Sequence, residues 1–185
     1  MSDGTFRSYA GHLLVASPAL TDPNFARAVV LILEHTESGA IGIVLNRPTE
    51  ADLLDHLPGW WSVASEPQVV FVGGPVGDGG GVGLARGEGA ASLEGWPEVL
   101  GVRAVDLEME PEPQTSLEAR IFVGYAGWGA DQLEAEIAID SWFVVAANAE
   151  DAFTADPEGL WAAVLERSGG RLAWLSTYPT NPRLN

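Results

Sequence analysis

The stretch from Gly124 to Ile137 concentrates side chains that could carry chemistry. Its glycines alternate with two large aromatic residues, so the pattern predicts a turn from which Tyr125 and Trp128 project. A helix is predicted to follow, with Gly129 as its N-cap, Gln132 three residues later, and Glu134 in its first turns. Two interpretations stay open. The stretch is either a capped helix entry with two packing aromatics, or a pocket or partner surface built from these four side chains.

Acid–base chemistry would need carboxylates or histidines in a suitable setting. Asp131 and Glu134 share a face of the predicted helix, where like charges repel unless a cation or a ligand neutralises them. Arg47, which follows a predicted strand, is the candidate partner, and solvation of both acids is the alternative. Glu34 and His35 at a strand end could supply a base and its partner or two metal ligands, but a structural histidine is the simpler reading.

Composition excludes several chemistries. The chain has no cysteine and no lysine, so thiol nucleophiles, cysteine–zinc sites, Schiff-base lysines and the P-loop signature are all absent. Neither the Gly-x-Ser-x-Gly nor the His-Glu-x-x-His pattern occurs. The glycine-rich segment 73–83 could cradle an anion, but without a basic residue or a following helix signal a flexible turn is the favoured explanation. We therefore expect no cofactor and no metal centre.

The charge balance restricts the partners. Twenty-six acidic residues against nine arginines give a net charge of -17, which argues against direct nucleic-acid binding and against anionic membrane surfaces. The longest apolar runs, such as 28–33 and 142–147, are too short to span a bilayer. No signal peptide is recognisable at the N-terminus. We expect a cytoplasmic protein whose partner is an unidentified protein or small molecule.

With 185 residues the chain fits a single domain, residues 1–185, with a loose leader over 1–10 and a mobile tail over 179–185. The apolar runs Val29–Leu33 and Ile41–Leu45 predict a buried hairpin, preceded by a strand over His12–Ala16. Thr49 and Asp52 resemble a capping pair for a short helix. The mixture of elements favours an α/β fold with substantial antiparallel pairing.

Further along, residues 68–72 predict a strand that opens into the glycine-rich loop. Alternation over Val105–Met109 predicts an acidic edge strand, and residues 121–123 predict a buried strand before the central turn. Trp142–Ala147 predicts a last strand, and Asp156-Pro157 predicts a helix start with an apolar stripe behind it. Leu172–Tyr178 could be a short strand or a packed tail.

Several blocks, taken in order, coincide with those of one known family. They are Gly11–Pro18, Asp22–Phe25, Glu34-His35, Gly39–Gly42 with Leu45–Pro48, Gly73–Val76, and Gly124–Gly129 with Gln132–Glu134 and Glu136. From about residue 11 to Trp161 the chain thus resembles the AlgH/YqgE family of bacterial proteins. The resemblance implies an α/β (α+β) fold in which a bifurcated, largely antiparallel sheet curls into a pseudo-barrel with flanking helices.

The resemblance implies less about activity, since the family is essentially uncharacterised. Its name reflects a proposed role as a transcriptional regulator of alginate production, which neither charge nor motif supports in this chain. A Leu-His pair that often follows Gly-Gly-Pro-Val in the family is Leu84-Ala85 here, so no role of that histidine carries over.

Two hypotheses follow. The first is a non-enzymatic binding or regulatory module whose candidate site residues are Asn24, His35, Asn46, Arg47, Gly73, Gly74, Pro75, Tyr125, Trp128, Gln132 and Glu134. The alternative is an enzyme of unknown class in which Glu134 or His35 is the acid–base group and the glycine turns supply oxyanion donors.

Overall fold

Nine β-strands form one sheet in the computed structural model, which describes residues 6–179. The strands are β1 His12–Ala16, β2 Val29–Thr36, β3 Gly39–Val44, β4 Pro48–Asp52, β5 Val69–Val72, β6 Val76–Arg86, β7 Arg103–Val105, β8 Glu118–Gly129 and β9 Trp142–Ala146. The helices are α1 Leu53–His56, α2 Pro58–Trp61, α3 Gln132–Ala138, α4 Leu160–Ser168 and α5 Gly170–Leu175, with a 3-10 helix at Ala149–Phe153. The fold is therefore a mixed α/β fold.

The sheet branches at β8, its longest strand. The first part of β8 lies between β6, which is antiparallel to it, and β5, which is parallel. The last residues of β8 pair with β3 instead, and β2, β1 and β9 extend that arm with antiparallel pairing throughout. The sheet is thus bifurcated, largely antiparallel and curled, as the resemblance implies, without closing into a barrel.

The predicted hairpin is confirmed as β2 and β3, which pair antiparallel. The residues of its first strand are buried on both faces because an apolar core lies on each side: Val29 and Leu31 enter one core, and Val30 and Ile32 the other. Strand β1 lies exactly where the sequence predicts it, at His12–Ala16. The apolar stripe of α4 is buried as expected, but the helix begins at Leu160 and not at Asp156-Pro157, because residues 157–159 form a turn.

Two segments that the sequence predicts as turns are strands in the structure, and both differ from the prediction for the same reason. The glycine-rich segment after Pro75 is β6, and the supposed turn at 124–129 is the second half of β8. The glycine-rich segment pairs with β8, for example Gly81 with Val123, and residues 126–129 of β8 pair with β3, for example Gly127 with Ile41. Long-range pairing therefore overrides the low β-propensity of glycine.

Smaller differences concern element bounds. The predicted edge strand over Val105–Met109 is wrong beyond its first residue, because β7 ends at Val105. Thr49 lies in β4, where its hydroxyl donates to the Val70 carbonyl, and only Asp52 caps α1. Residues 172–178 contain the end of α5 and not a strand.

The start of the described chain, predicted as part of a loose leader, is instead held against β2. The Ser8 hydroxyl donates to the His35 carbonyl at 3.0 Å, and the Tyr9 amide donates to the His35 ring at 3.0 Å. Residues 1–5 and 180–185, where the rest of the leader and most of the predicted tail fall, lie outside the described residues. Within residues 6–179, no helix has the length and hydropathy that a membrane span requires.

Gly73 and Gly74 lie at the point where the sheet branches. Their backbone contacts the backbone of Gly124 and Tyr125 there. A Cβ atom at Gly74 would lie 2.2 Å from the Tyr125 carbonyl oxygen, and the φ of Gly74 is +153°. A Cβ atom at Gly73 would lie 2.3 Å from the Gly124 oxygen. Only glycine fits this close approach.

We therefore predict that Gly74→Ala lowers the free energy of unfolding by about 3 kcal/mol, since overpacking and backbone strain add at this position. Gly127→Ala is the matched control, because its nearest neighbour would be an ordinary contact at 3.8 Å. Urea unfolding of both variants measures the difference. Equal losses would contradict the assignment of the branch as the tight point of the sheet.

Candidate functional site

The link between β3 and β4 builds a polar junction around Asn46, which is buried. The Asn46 Oδ1 accepts from the Val29 amide at 2.9 Å, and its Nδ2 donates to the Arg27 carbonyl at 2.8 Å. Arg27 has a φ of +57°, which is rare for a residue with a side chain. The amide of Asn46 thereby fixes the loop before β2 against the link between β3 and β4.

Arg47, the next residue, carries the half-buried guanidinium of this junction. Its Nη2 donates to the Ala26 carbonyl, and its own carbonyl accepts from the Val72 amide at 2.9 Å. Burial lowers the pKa of Arg47 below its ordinary value. Among the side chains that the structure describes, no carboxylate lies within ion-pair distance of it.

A groove of about 260 Å³ opens beside this guanidinium, and we call it the Arg47 groove. Its walls come from the loop before β2, the end of β3, the start of β4, the end of β5 and the branch: Pro23, Asn24, Val44, Arg47, Pro48, Val72, Gly74 and Pro75. Apart from Arg47 and the amide of Asn24, the lining side chains are aliphatic or proline rings, or glycine. The groove can therefore hold an apolar body with one negative group at the arginine.

A second cavity, of about 520 Å³, adjoins the groove and shares Pro23 and Arg47 with it. Arg27 also lines it, with its guanidinium 4.3 Å from the Trp161 ring centroid and one Nη donating to the Tyr178 carbonyl. The structure therefore places two guanidinium groups along one continuous depression.

His35 belongs to a different cluster, on the side of the sheet that α3 covers. Its Nε2 lies 2.9 Å from Glu134 Oε1, and its Nδ1 accepts from the Tyr9 amide. The Tyr9 ring stacks on the imidazole, with centroids 5.3 Å apart. The side chain of His35 is 1% exposed, and these contacts fit a neutral imidazole that is protonated at Nε2.

Glu136 is the acceptor around which the rest of this cluster is built. Its Oε2 accepts from the indole nitrogens of Trp128, at 2.9 Å, and Trp142, at 2.8 Å. Its Oε1 accepts from the Gln132 amide at 2.9 Å, and the Gln132 Oε1 accepts in turn from the Gly129 amide. One carboxylate therefore ties α3 to β8 and β9.

The structure divides the predicted site residues between distinct places. Asn24, Asn46, Arg47, Gly74 and Pro75 meet at the groove or its neighbouring junction, with Gly73 just behind. His35, Trp128, Gln132 and Glu134 lie in the cluster under α3. Tyr125 joins neither group; its ring meets Trp96 edge-on, with centroids 6.3 Å apart.

Two details of the predicted site are wrong. Arg47 does not neutralise Glu134, because His35 pairs with that carboxylate and Arg47 lies at the other cluster. The N-cap of α3 is Asp131, with a left-handed backbone, and not Gly129. The Gln132 side chain nevertheless accepts from the Gly129 amide at 3.0 Å.

The sequence interpretation also omitted residues that the site needs. Glu136 could have been found from its spacing, since it is four residues after Gln132 and stands between two tryptophans whose indoles need an acceptor. Tyr9, Pro23 and Arg27 gave no such signal, because only the folded chain brings them close to their partners.

The described residues contain no group of three side chains that could hold a metal ion. His35 and Glu134 face each other, and the ring nitrogen that would be needed for coordination is engaged in that contact.

Fold and site can now be compared with known proteins. The AlgH-like family model matches residues 13–173. UPF0301 proteins of Streptomyces avermitilis and Streptomyces coelicolor are 49% and 50% identical to this chain, with 96% of each chain covered. The crystal structure of protein DIP2367 from Corynebacterium diphtheriae matches with a TM-score of 0.77 and 27% identity, covering 94% of both chains. The solution structure of AlgH from Pseudomonas aeruginosa matches with a TM-score of 0.65 and 30% identity, covering 98% of this chain and 100% of that one.

The branched sheet and these matches define a bacterial α/β protein of the UPF0301 class. The chain belongs to the AlgH-like family.

We predict that Glu136→Gln lowers the free energy of unfolding by about 2 kcal/mol. The new amide nitrogen must either face the Gln132 amide, which then loses its acceptor, or replace the oxygen that accepts from both indoles, which then both lose theirs. Glu134→Gln is the control, because its remaining oxygen can still accept from His35; it should cost less than about 1 kcal/mol. Chemical denaturation monitored by tryptophan fluorescence measures both. A loss in the control as large as that of Glu136→Gln would contradict the central role of Glu136.

Proposed function

We propose that this protein is a cytoplasmic, non-enzymatic binding module that holds a ligand with a carboxylate or phosphate group in the Arg47 groove. The observation that carries the proposal is the half-buried guanidinium of Arg47, which has a single carbonyl partner and no carboxylate partner among the described side chains. Desolvating a cation costs free energy, and a bound anion would recover it.

Three other arginines have more hydrogen-bond or ion-pair partners than Arg47, and this difference supports an anion site at Arg47. Arg86 contacts Glu118 and Glu150, and Arg167 contacts Asp151. Buried Arg120 donates to the carbonyls of Glu66, Ala152 and Thr154. Arg47 retains N–H groups without such partners, at the edge of an open groove, where a planar guanidinium is suited to bidentate contact with an anion.

The lining of the groove favours binding over catalysis. It contains no carboxylate, imidazole or hydroxyl, so no side chain there can exchange a proton near neutral pH. The enzyme alternative relies on His35 and Glu134, but the imidazole is buried and both its nitrogens are engaged. An acid–base role would first require breaking the contact with Tyr9.

Direct DNA regulation has no comparable support, because 26 acidic residues outnumber nine arginines. Most of the described arginines also donate to carbonyl or carboxylate groups of the fold. The long-range field of the protein also repels anions. Affinity for an anionic ligand must therefore arise at short range, from Arg47 and the apolar walls together.

A thermal-unfolding screen against carboxylates, phosphate esters and nucleotides tests the proposal. A ligand present at about 100 times its dissociation constant should raise the melting temperature by roughly 5–10 °C. Arg47→Gln should weaken its binding by about 10- to 100-fold. The matched control is Arg171→Gln, which removes the same charge from an exposed position of α5.

The outcomes separate the hypotheses. A shift that Arg47→Gln abolishes and Arg171→Gln retains supports the groove. A shift that survives in Arg47→Gln but is lost in Glu134→Gln would overturn the proposal and favour the enzyme alternative. Stabilisation only by uncharged compounds would also contradict it.

A further inference from the structure

The cavity of about 520 Å³ beside the Arg47 groove is lined by two arginines, Arg27 and Arg47. The rest of its wall consists mainly of proline, leucine and alanine, with Thr21 and the chain at Tyr178 beside them. Among the described residues no carboxylate lines it, although the chain has 26 acidic residues. In so acidic a protein, two cations in one cavity without an acid form a local site for negative charge.

Reciprocal contacts fix the two arginines on neighbouring segments of backbone. Arg47 donates to the Ala26 carbonyl, so its guanidinium lies against the backbone just before Arg27. The Arg27 carbonyl accepts from Asn46, the residue before Arg47. The separation of the two guanidinium groups is therefore little more than the length of one arginine side chain. A small ligand can reach both.

The guanidinium of Arg27 is held in place but not neutralised. It lies 4.3 Å from the Trp161 ring centroid, and one Nη donates to the Tyr178 carbonyl. The described part of the chain gives it no further hydrogen-bond acceptor and no carboxylate within ion-pair distance. Packing on an indole fixes the plane of a guanidinium and leaves N–H groups at its edge for an anion.

Two acids lie near the cavity, and neither pairs with these arginines. Glu158 is exposed and lines a separate space of about 280 Å³, which both arginines also border. Asp22, which precedes Pro23, accepts from the Asn24 amide at 2.8 Å. A negative ligand is therefore favoured on the Pro23 side of the arginines, where the wall is apolar, and disfavoured on the Glu158 side.

We propose that the ligand of this site carries two anionic groups on a short apolar spacer, one bound by Arg47 and the other by Arg27. The inference rests on the function proposed above, because it requires an anion at Arg47, and it adds a second anchor that defines the ligand class as a short-chain dianion. The wall at Pro23 and Ala26 contacts the spacer. Once one anionic group is bound, the other meets its arginine at a high effective concentration, so the two contacts reinforce each other.

Isothermal titration calorimetry with the full chain, at neutral pH and in physiological salt, tests the second anchor. The probes are malonate, succinate, glutarate, adipate and suberate, each compared with the monocarboxylate of the same chain length. Salt of this strength screens the negative field of the protein beyond about 8 Å, so contacts at short range decide the result.

The best dicarboxylate should bind about tenfold more tightly than its monocarboxylate. Affinity should pass through a maximum along the series, because the two guanidinium groups are held at one separation. Affinities that rise evenly with chain length in both series would overturn the proposal, since they would report apolar contact alone. This comparison needs only the wild type and decides the question even if a variant of Arg27 does not fold.

A cycle that changes both protein and ligand assigns the preference to Arg27. Arg27→Gln should weaken dicarboxylate binding about tenfold more than monocarboxylate binding. Arg171→Gln, the control with the same charge change at an exposed position of α5, should keep the preference. A preference for the dicarboxylate that persists in Arg27→Gln would refute the second anchor.

The failure of this inference can be told apart from the failure of the proposed function. If monocarboxylates bind and Arg47→Gln weakens them, but a second carboxylate adds no affinity, only the anchor at Arg27 is refuted. If wild type binds no carboxylate or phosphate ester at all, the anion site at Arg47 is refuted as well.

Discussion

The close approach of two backbones at the branch of the sheet is the constraint on which the rest of the fold depends. Gly73 and Gly74 lie against Gly124 and Tyr125, where the partner of β8 changes from β5 to β3. Hydrogen bonds from Val44 N to Gly73 O and from Gly73 N to Val123 O, both at 2.8 Å, join the two arms there. One residue before Gly73, the amide of Val72 in β5 donates to the Arg47 carbonyl. The contact that splits the sheet therefore also positions the arginine of the groove.

An acidic chain with few cations uses them in contrasting ways. Arg120 is 1% exposed; burial lowers its pKa to about 10, yet three carbonyls and the Phe71 ring surround it, so it links the sheet to the 3-10 helix. Burial also lowers the pKa of Arg47, but the protein supplies that guanidinium with far fewer partners. Burial removes water from both guanidinium groups. Within the described chain, three carbonyls replace that water at Arg120, whereas a single carbonyl does so at Arg47. This difference separates a structural arginine from a candidate ligand anchor.

Local patterns in the sequence were sufficient for elements whose signal lies within the element. The β2–β3 hairpin and the apolar stripe of α4 follow from runs and periodicity alone. The second half of β8 could not be predicted in this way, because its glycines signal a turn and only pairing with β3 and β6 makes it a strand. The prediction of a turn at residues 124–129 also placed Tyr125 and Trp128 in one site, although they lie in two. In a turn Tyr125 and Trp128 project together, whereas in a strand an odd spacing sends them to opposite faces, so Tyr125 packs against one core and Trp128 belongs to the other.

The groove and strand β9 are connected by a chain of contacts through Trp161. Its ring lies under Arg27, and its indole nitrogen donates to the Ala16 carbonyl at 2.9 Å, on the residue that pairs with Trp142. Contiguity of this kind does not amount to coupling, which requires an element with two arrangements that both sites bias. Trp161 is buried in the main core and α4 is anchored along its length, so a single arrangement is favoured. Ligand binding at Arg47 should therefore leave the arrangement of β9 unchanged.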